Sequence, residues 1–141
     1  MLVKEIMRAP VISISPEAGL DRALVMLRTQ HIRHLPVVEN GELVGILSSR
    51  DLRKSMVEME SGPDGAPKGL YLPALTKVRS VMHRAVITIS PQDEVRSAAQ
   101  LMSEMKIGCL PVVEPGAKKV VAIVTETDML KLLARILNQQ K

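Results

Sequence analysis

Short apolar runs alternate along this chain with stretches in which apolar residues recur at helical spacing. The runs at 11–14, 35–38 and 43–47 are typical of short strands. Between the first two runs, the spacing i, i+3, i+4, i+7 predicts a helix with one apolar face. The residues of that face are Leu20, Ala23, Leu24 and Leu27. A second helix is predicted after Ser48, with Asp51 in its first turn, where the helix dipole favours an acid.

The same pattern returns in the second half of the chain. Met7 and Met82 align with a shift of 82 − 7 = 75 residues, and the shift becomes 128 − 51 = 77 at Asp51 and Asp128. The two extra residues fall in a turn at 115–119, where a structural repeat tolerates insertions. The second apolar helix face consists of Val95, Ala98, Ala99 and Met102. This match predicts a duplicated β-α-β-β-α unit.

Each copy is expected to begin with a strand that runs into Ser-Pro. Ser15 and Ser90 are predicted helix N-caps, because the proline after each of them fits the first helical position. Asn40-Gly41 predicts a tight hairpin turn. One copy alone buries too little surface to be stable, so we predict an α/β (α+β) fold in which two copies pair about a pseudo-twofold axis. The predicted boundaries are 1–56 for repeat 1, 57–76 for a Gly- and Pro-rich linker and 77–141 for repeat 2.

The composition narrows the classes of function. The 141 residues include no Phe or Trp, one Tyr and one Cys, and the net charge is +4. A single cysteine excludes an internal disulfide and a cysteine-based zinc site, and we predict no metal site. His83 has no visible companion, which indicates a surface role. No apolar run reaches the roughly 18 residues of a membrane span, and the N-terminus lacks a signal pattern, so we expect a cytoplasmic protein.

A hydroxyl residue followed three residues later by an aspartate occurs twice at a strand-to-helix corner. The pairs are Ser48 with Asp51 and Thr125 with Asp128. A rigid carboxylate at a helix start can accept hydrogen bonds from both hydroxyls of a ribose cis-diol, and such charge-assisted bonds are strong. The hydroxyl and the free N–H groups of the helix start favour a phosphate. Helix capping is the alternative role for each aspartate.

These motifs, in this order and twice over, resemble a pair of CBS (cystathionine-β-synthase) domains, which form one Bateman module. The motifs are Val-Ile-Ser-Ile-Ser-Pro at 11–16 with its copy at 86–91, Leu-Pro-Val-Val at 35–38 and 110–113, and Gly-Ile-Leu-Ser-Ser-Arg-Asp-Leu at 45–52. The resemblance covers nearly the whole chain outside the linker. It implies a stand-alone regulatory module, not an enzyme, that binds an adenosine-containing ligand in clefts between the repeats. AMP, ADP, ATP and S-adenosylmethionine are the candidate ligands.

The resemblance also assigns binding residues. Around the first corner they are Gly45, Ser48, Arg50, Asp51, Arg33 and His34, with Ile87, Ser90 and Pro91 reaching across from the other repeat. Around the second corner they are Thr125, Thr127 and Asp128, with Ile12, Ser15 and Pro16 from the first repeat. Gly108 and Cys109 replace the charged Arg33 and His34, and Ala122 is expected to add a methyl near the ligand. The Asp51 corner is therefore predicted to be the better phosphate-bearing site.

Other functions and partners stay open. The resemblance implies a homodimer, and the apolar positions at 130–137 and around Met56 and Met59 are candidate faces for it. An unidentified protein target is also expected for a module that transmits a signal. The alternatives are a purely structural CBS-pair interaction protein and a nucleic-acid-binding protein. The basic residues that would serve the latter are Lys118, Lys119, Lys131, Arg135 and Lys141, but base-stacking aromatics are missing.

Overall fold

The computed structural model of this chain describes residues 1–58, 70–73 and 75–140. The helices are α1 (Leu20–Thr29), α2 (Ser49–Ser55), α3 (Val95–Met105) and α4 (Glu126–Gln139). The strands are β1 (His34–Glu39), β2 (Glu42–Ser48), β3 (Val57–Glu58), β4 (Leu70–Tyr71), β5 (Cys109–Val113) and β6 (Val120–Thr125). Short 3-10 helices lie at Val3–Glu5 and Val78–Ser80. Within these described ranges, no helix is long and apolar enough to cross a membrane.

The chain forms two compact units, and neither is one continuous stretch. The first unit consists of Met1–Val11, Gly41–Leu43 and Val86–Lys141, and the second of Ile12–Asn40 and Val44–Ala85. We name residues 1–10 the first lead-in and residues 76–85 the second lead-in. Each lead-in therefore belongs to the compact unit that holds the body of the other repeat. The boundaries 1–56, 57–76 and 77–141 concern the sequence repeats and stay a prediction, and residues 59–69 and 74 of that linker lie outside the described residues.

Both predicted hairpins form. β1 and β2 make a two-stranded sheet, and the turn between them has φ of +52° at Asn40 and +79° at Gly41. These positive angles are what a two-residue hairpin turn requires, and Asn and Gly adopt them most easily. In the other repeat, β5 and β6 pair antiparallel with Leu110 opposite Val124.

The prediction of a regular first strand in each repeat is wrong. At 11–14 and 86–89 the structure has single parallel bridges, from Ile14 to Val37 and from Ile89 to Val112. Each bridge stands just before a Ser-Pro pair, and the proline cannot donate a hydrogen bond to extend the ladder.

The predicted N-caps at Ser15 and Ser90 are also wrong. α1 begins after Gly19 and α3 after Glu94, four residues beyond each serine. The Oγ atom of Ser15 accepts from the N–H of Glu17 at 3.2 Å, and that of Ser90 accepts from the N–H of Gln92 at 3.3 Å. A serine that bonds the N–H two residues ahead makes a local turn, which competes with a helix start.

Each compact unit has its own aliphatic core. The predicted α1 face is confirmed, because Leu20, Ala23 and Leu27 are buried and Leu24 packs against them. The α3 face is confirmed at Val95, Ala98 and Met102. It is wrong at Ala99, which is exposed, because Leu101 packs against the core on the other side of the helix.

Equivalent backbone hydrogen bonds hold the two lead-ins in their units. They run from Val3 to Asp93 (2.8 Å), from Lys4 to Pro91 (3.0 Å), from Val78 to Ala18 (2.9 Å) and from Arg79 to Pro16 (2.9 Å). Val3 and Val78 are completely buried in the cores that these bonds close. The duplication predicted from the sequence therefore extends to individual hydrogen bonds.

Candidate functional site

The first aspartate corner is built by a helix cap. At the start of α2, the Oγ atom of Ser48 accepts from the N–H of Asp51 at 3.1 Å. In return, Asp51 Oδ2 accepts from both the N–H and the hydroxyl of Ser48, each at 2.8 Å. Only 8% of Asp51 is exposed. The cap fixes the carboxylate rigidly and leaves Oδ1 on the side away from Ser48.

The second corner repeats this arrangement at the start of α4. Asp128 Oδ2 accepts from the N–H of Thr125 at 2.8 Å and from its hydroxyl at 3.1 Å. Asp128 is 9% exposed. Both aspartates thus do cap a helix, as the alternative interpretation held. Capping uses one carboxylate oxygen at each corner, so it does not preclude a further role for the other.

A basic side chain from a lead-in faces the second oxygen at each corner. Asp51 Oδ1 lies 2.9 Å from His83 Nε2, and Asp128 Oδ1 lies 3.3 Å from Arg8 Nε. The two basic residues are equivalents in the repeat, since 83 − 8 = 75. His83 lies at the surface as expected, with its side chain 68% exposed, and its neighbour Asp51 was not visible from the sequence because it comes from a distant stretch of the chain. The role of Arg8 was missed, and its only signal was its alignment with His83 directly after Met7 and Met82.

Backbone pairing sets the position of both basic residues. Arg8 and Ile123 exchange N–H···O bonds of 3.0 and 3.1 Å, and His83 and Ile46 exchange two bonds of 2.9 Å. Ile123 lies in β6 and Ile46 in β2, the strands that run into the two corners. Each lead-in therefore pairs with one strand, β6 or β2, and this pairing places its basic side chain beside the aspartate at the end of that strand.

The environment of Asp51 favours its charged form. Burial alone would raise the pKa of Asp51, but hydrogen bonds from the backbone and hydroxyl of Ser48 and from His83 outweigh burial, and the pKa lies below its ordinary value of 3.8. A carboxylate with a lowered pKa stays ionised at any physiological pH. It is thus available as a permanent acceptor.

This lowered pKa predicts how stability depends on pH. A group whose pKa is lower in the folded state stabilises the fold above its unfolded pKa, and the stabilisation is lost as the pH falls through the folded pKa. The difference in free energy of unfolding between the native chain and Asp51→Asn should be constant above pH about 5 and shrink as the pH falls below 3.8. Urea unfolding across this range measures it. A difference that does not change with pH would contradict the argument.

Backbone hydrogen bonds tie the loops before β1 and β5 to the starts of α2 and α4. The N–H of Ser49 donates to the carbonyl of Arg33 at 2.8 Å, and the N–H of Glu126 donates to that of Gly108 at 3.0 Å. The loop before β1 is thereby tied to the start of α2. The side chains of Arg33, Arg50 and Thr127 are exposed, and His34 is partly buried at the start of β1.

A model of the CBS domain family matches residues 3–58 and again 78–135, which together hold both corners and the basic lead-in residues Arg8 and His83. The chain belongs to the CBS domain family. A CBS domain-containing protein of Dictyostelium discoideum is 36% identical over 138 residues, or 97% of this chain and 94% of that protein. The CBS domain-containing protein YhcV of Bacillus subtilis is 29% identical and covers 90% of this chain and 81% of its own length.

Solved CBS pairs have the same fold. The CBS domain pair of protein MJ0100, in complex with 5′-methylthioadenosine and S-adenosyl-L-methionine, superposes with a TM-score of 0.78. It is 30% identical, and the match covers 95% of this chain and 96% of that one. The resemblance predicted from the motifs is therefore confirmed. The fold class, a mixed α/β pair of CBS repeats, is confirmed with it.

Some relatives of this CBS pair are named as enzymes. The L-aspartate semialdehyde sulfurtransferase of Methanosarcina acetivorans is 30% identical over 95% of this chain, but the match spans 24% of that protein. The shared part is thus about a quarter of that protein, and the activity in its name describes the whole.

Gly45 has a packing role in this CBS pair. A Cβ atom at this buried position would lie 2.6 Å from Met82 Sδ and 3.0 Å from the carbonyl oxygen of His83. The absence of a side chain therefore allows the second lead-in to approach β2. Its counterpart Ala122 is completely buried in the core of the first unit. The Ala122 side chain packs among core residues, and the expected methyl near the ligand stays a prediction.

Gly45→Ala is accordingly expected to destabilise the fold by about 1–3 kcal/mol, as overpacked core substitutions do. The Met82 side chain can rotate away, but the His83 carbonyl is held by its bonds to Ile46. Chemical denaturation of the variant measures the loss. An unchanged midpoint would show that the lead-in is not packed tightly against this glycine.

The residues assigned to the opposite repeat fall into separate compact units. Ile12, Ser15 and Pro16 belong to the second unit, which also holds Asp51. Ile87, Ser90 and Pro91 belong to the first unit, which also holds Asp128. The assignment of each set to the corner of the other repeat stays a prediction of the CBS pattern.

Proposed function

We propose that this CBS pair is a regulatory module that binds an adenosine-containing ligand at the Asp51 and Asp128 corners and transmits occupancy by a conformational change. The observation that carries the proposal is the duplicated geometry. In each repeat, a cap fixes a buried aspartate and leaves Oδ1 beside a basic side chain, which is 51% exposed for Arg8 and 68% exposed for His83. The similar CBS pair of protein MJ0100 was solved with two adenosine-containing ligands, which supports the ligand class.

The chemistry of the corner suits a ribose. A carboxylate oxygen has two lone pairs, so Oδ1 can accept from a ribose hydroxyl beside or in place of the basic side chain. The Ser48 hydroxyl donates to Asp51 and accepts from its N–H, so it must rotate to donate to a phosphate. The N–H groups of Ser49 and Asp51 in the first turn of α2 already donate to the Arg33 carbonyl and to Ser48 Oγ, so the exposed side chains of Arg33 and Arg50 are the donors proposed for a phosphate.

The corners are not equal in charge. Arg33 and Arg50 are exposed around Asp51, whereas Gly108 and Thr127 take the matching places around Asp128. Burial raises the pKa of Cys109 to about 12, so this thiol adds no charge. We propose on these grounds that the Asp51 corner binds phosphate-bearing ligands more tightly. AMP, ADP and ATP are the candidates for it, and S-adenosylmethionine is a candidate for either corner.

A ligand panel tests this function. The native chain is heated with AMP, ADP, ATP, S-adenosylmethionine or 5′-methylthioadenosine, and GMP and UMP serve as matched controls for the base. A ligand present at about 100 times its Kd should raise the free energy of unfolding by about 2.7 kcal/mol, a clear shift of the melting midpoint. Isothermal titration then gives the number of sites. Equal shifts of the melting midpoint with the adenine compounds and with GMP and UMP would refute the adenosine proposal.

We further propose that the module is a cytoplasmic homodimer without catalytic activity of its own. The support for the homodimer is the outer face of α4, where Leu130, Leu133 and Leu137 are 65%, 51% and 55% exposed. Three large apolar side chains on one exposed stripe favour burial against another helix. Met59, also a candidate for the dimer face, lies outside the described residues.

If the leucine stripe of α4 holds a homodimer together, charged substitutions in it should lower the mass of the particle in solution. Leu133→Glu combined with Leu137→Glu places two charges on the stripe and should convert the dimer to a monomer in light scattering after gel filtration. Lys131→Gln with Arg135→Gln, which changes the net charge by the same two units, is the matched control on the same helix. A native chain that is monomeric at tens of micromolar would contradict the proposal.

A further inference from the structure

We infer that Arg8 is a specificity-determining residue of the Asp128 corner, where it selects a ligand with a phosphate beside the ribose over the same ligand without one. The inference rests on the proposed adenosine-binding function and assigns a ligand class to its second site. It also corrects the view that this corner lacks a cation. Its support comes from two features of the first compact unit and from a contrast with the corner in the second unit.

The first feature is the position of the guanidinium group. Arg8 Nε lies 3.3 Å from Asp128 Oδ1, and Arg8 Nη2 lies 3.4 Å from Thr125 Oγ1. Arg8 thus contacts both groups of the corner, the carboxylate and the hydroxyl. Its side chain is 51% exposed, and its backbone is fixed by two bonds to Ile123. Any ligand that binds both Asp128 and Thr125 must therefore meet this guanidinium.

The second feature is the charge balance. Arginine stays protonated in proteins, and here its charge is offset by the buried Asp128 carboxylate. A ribose hydroxyl that bonds to Oδ1 weakens this pairing, so the guanidinium needs another anion. A phosphate on the same ligand supplies one and can accept two parallel N–H bonds from the guanidinium fork. A nucleoside without a phosphate leaves the cation without that compensation.

The third feature is the contrast with the other corner. At the equivalent position, His83 contacts Asp51 through one ring nitrogen, and its side chain is 68% exposed. An imidazole has no fork of donors that matches a phosphate. The first corner has Arg33 and Arg50 nearby, whereas at the second corner Arg8 takes the role of phosphate-binding cation. The two sites therefore use cations from different parts of the repeat.

The test compares AMP with adenosine, which differ only in the phosphate. Titration calorimetry is done in an Asp51→Asn background, so that the Asp128 corner dominates binding. Arg8→Gln should weaken AMP binding by roughly tenfold to a hundredfold, the range for hydrogen bonds to charged groups, and change adenosine binding by less than about threefold. Arg8→Lys should fall between, because lysine keeps the charge without the fork. Arg135→Gln is the control, since it removes one exposed positive charge that lies on α4 and not in the lead-in.

The outcomes distinguish the proposed role of Arg8 from the proposed adenosine-binding function. If Arg8→Gln weakens AMP and adenosine equally, Arg8 only positions the carboxylate, and the inference is overturned while the adenosine function stands. Unchanged AMP affinity also overturns it. If no adenine compound binds even to the native chain, the proposed function fails and the inference with it. Circular dichroism of each variant confirms folding, and Arg8→Lys carries the comparison should Arg8→Gln fold poorly.

Discussion

Truncation of Leu110 to alanine is expected to lower the free energy of unfolding by about 2–5 kcal/mol. Leu110 is completely buried in β5, where it belongs to the core of the first unit together with Val3 and Val124. The substitution removes three buried carbon atoms and leaves a cavity that the surrounding β-branched side chains cannot fill by rotating. A domain of this size has about 5–15 kcal/mol of stability in all, so the variant should be partly unfolded at moderate urea concentrations.

The control for this effect is an exposed residue of similar chemistry. Val25→Ala on α1, where Val25 is 59% exposed, should change stability by less than about 0.5 kcal/mol. Leu35→Ala at the equivalent core position of the other unit should cost as much as Leu110→Ala, because both leucines have 0% exposure. A loss below about 1 kcal/mol at Leu110 would mean that the β5 core is loosely packed.

The second large effect is expected on ligand affinity. Asp51→Asn keeps the size of the side chain and an oxygen that can accept from Ser48, but it removes the charge at Oδ1. Hydrogen bonds to a charged group contribute about 1.5–3 kcal/mol, so affinity for AMP should fall by about tenfold to more than a hundredfold. Asp128→Asn should cost less, because the Asp51 corner is proposed to bind the phosphate more tightly. Titration calorimetry of both variants gives the ratio.

Asp21→Asn provides a charge-matched control for these variants. Asp21 is an exposed acid in the first turn of α1, and its substitution changes the net charge by the same amount. Its affinity for AMP should equal that of the native chain. Equal losses from Asp51→Asn and Asp128→Asn would contradict the ranking of the two corners. No loss from either would mean that the carboxylates serve only as helix caps.

Much of the fold follows from local patterns in the sequence. The duplication, the Asn40-Gly41 turn and the apolar stripe of α1 each depend on residues within a few positions of one another. Local rules work there because turn geometry and helix periodicity are properties of short segments. The two corners were predictable for the same reason, since the hydroxyl and the aspartate are three residues apart.

Features that depend on distant residues could not be predicted in this way. The contacts from Asp51 to His83 and from Asp128 to Arg8 join residues 32 and 120 positions apart, as 83 − 51 and 128 − 8 show. Nothing near His83 in the sequence indicates its partner, because the pairing follows from where the lead-in adds to β2. The starts of α1 and α3 after Gly19 and Glu94 were also not predicted, because a Ser-Pro pair fits a turn and a helix cap equally well.

The exchanged lead-ins constrain how such a protein can be divided or can have arisen. A fragment with a single repeat and its own lead-in would lack the valine, Val3 or Val78, that completes its core. Two such fragments could complete each other's cores by exchanging their lead-ins. An ancestral single-repeat protein would thus fold as an intertwined dimer, and gene duplication with fusion would keep that exchange within one polypeptide. A split version of this chain should accordingly recover its structure only when both halves are mixed.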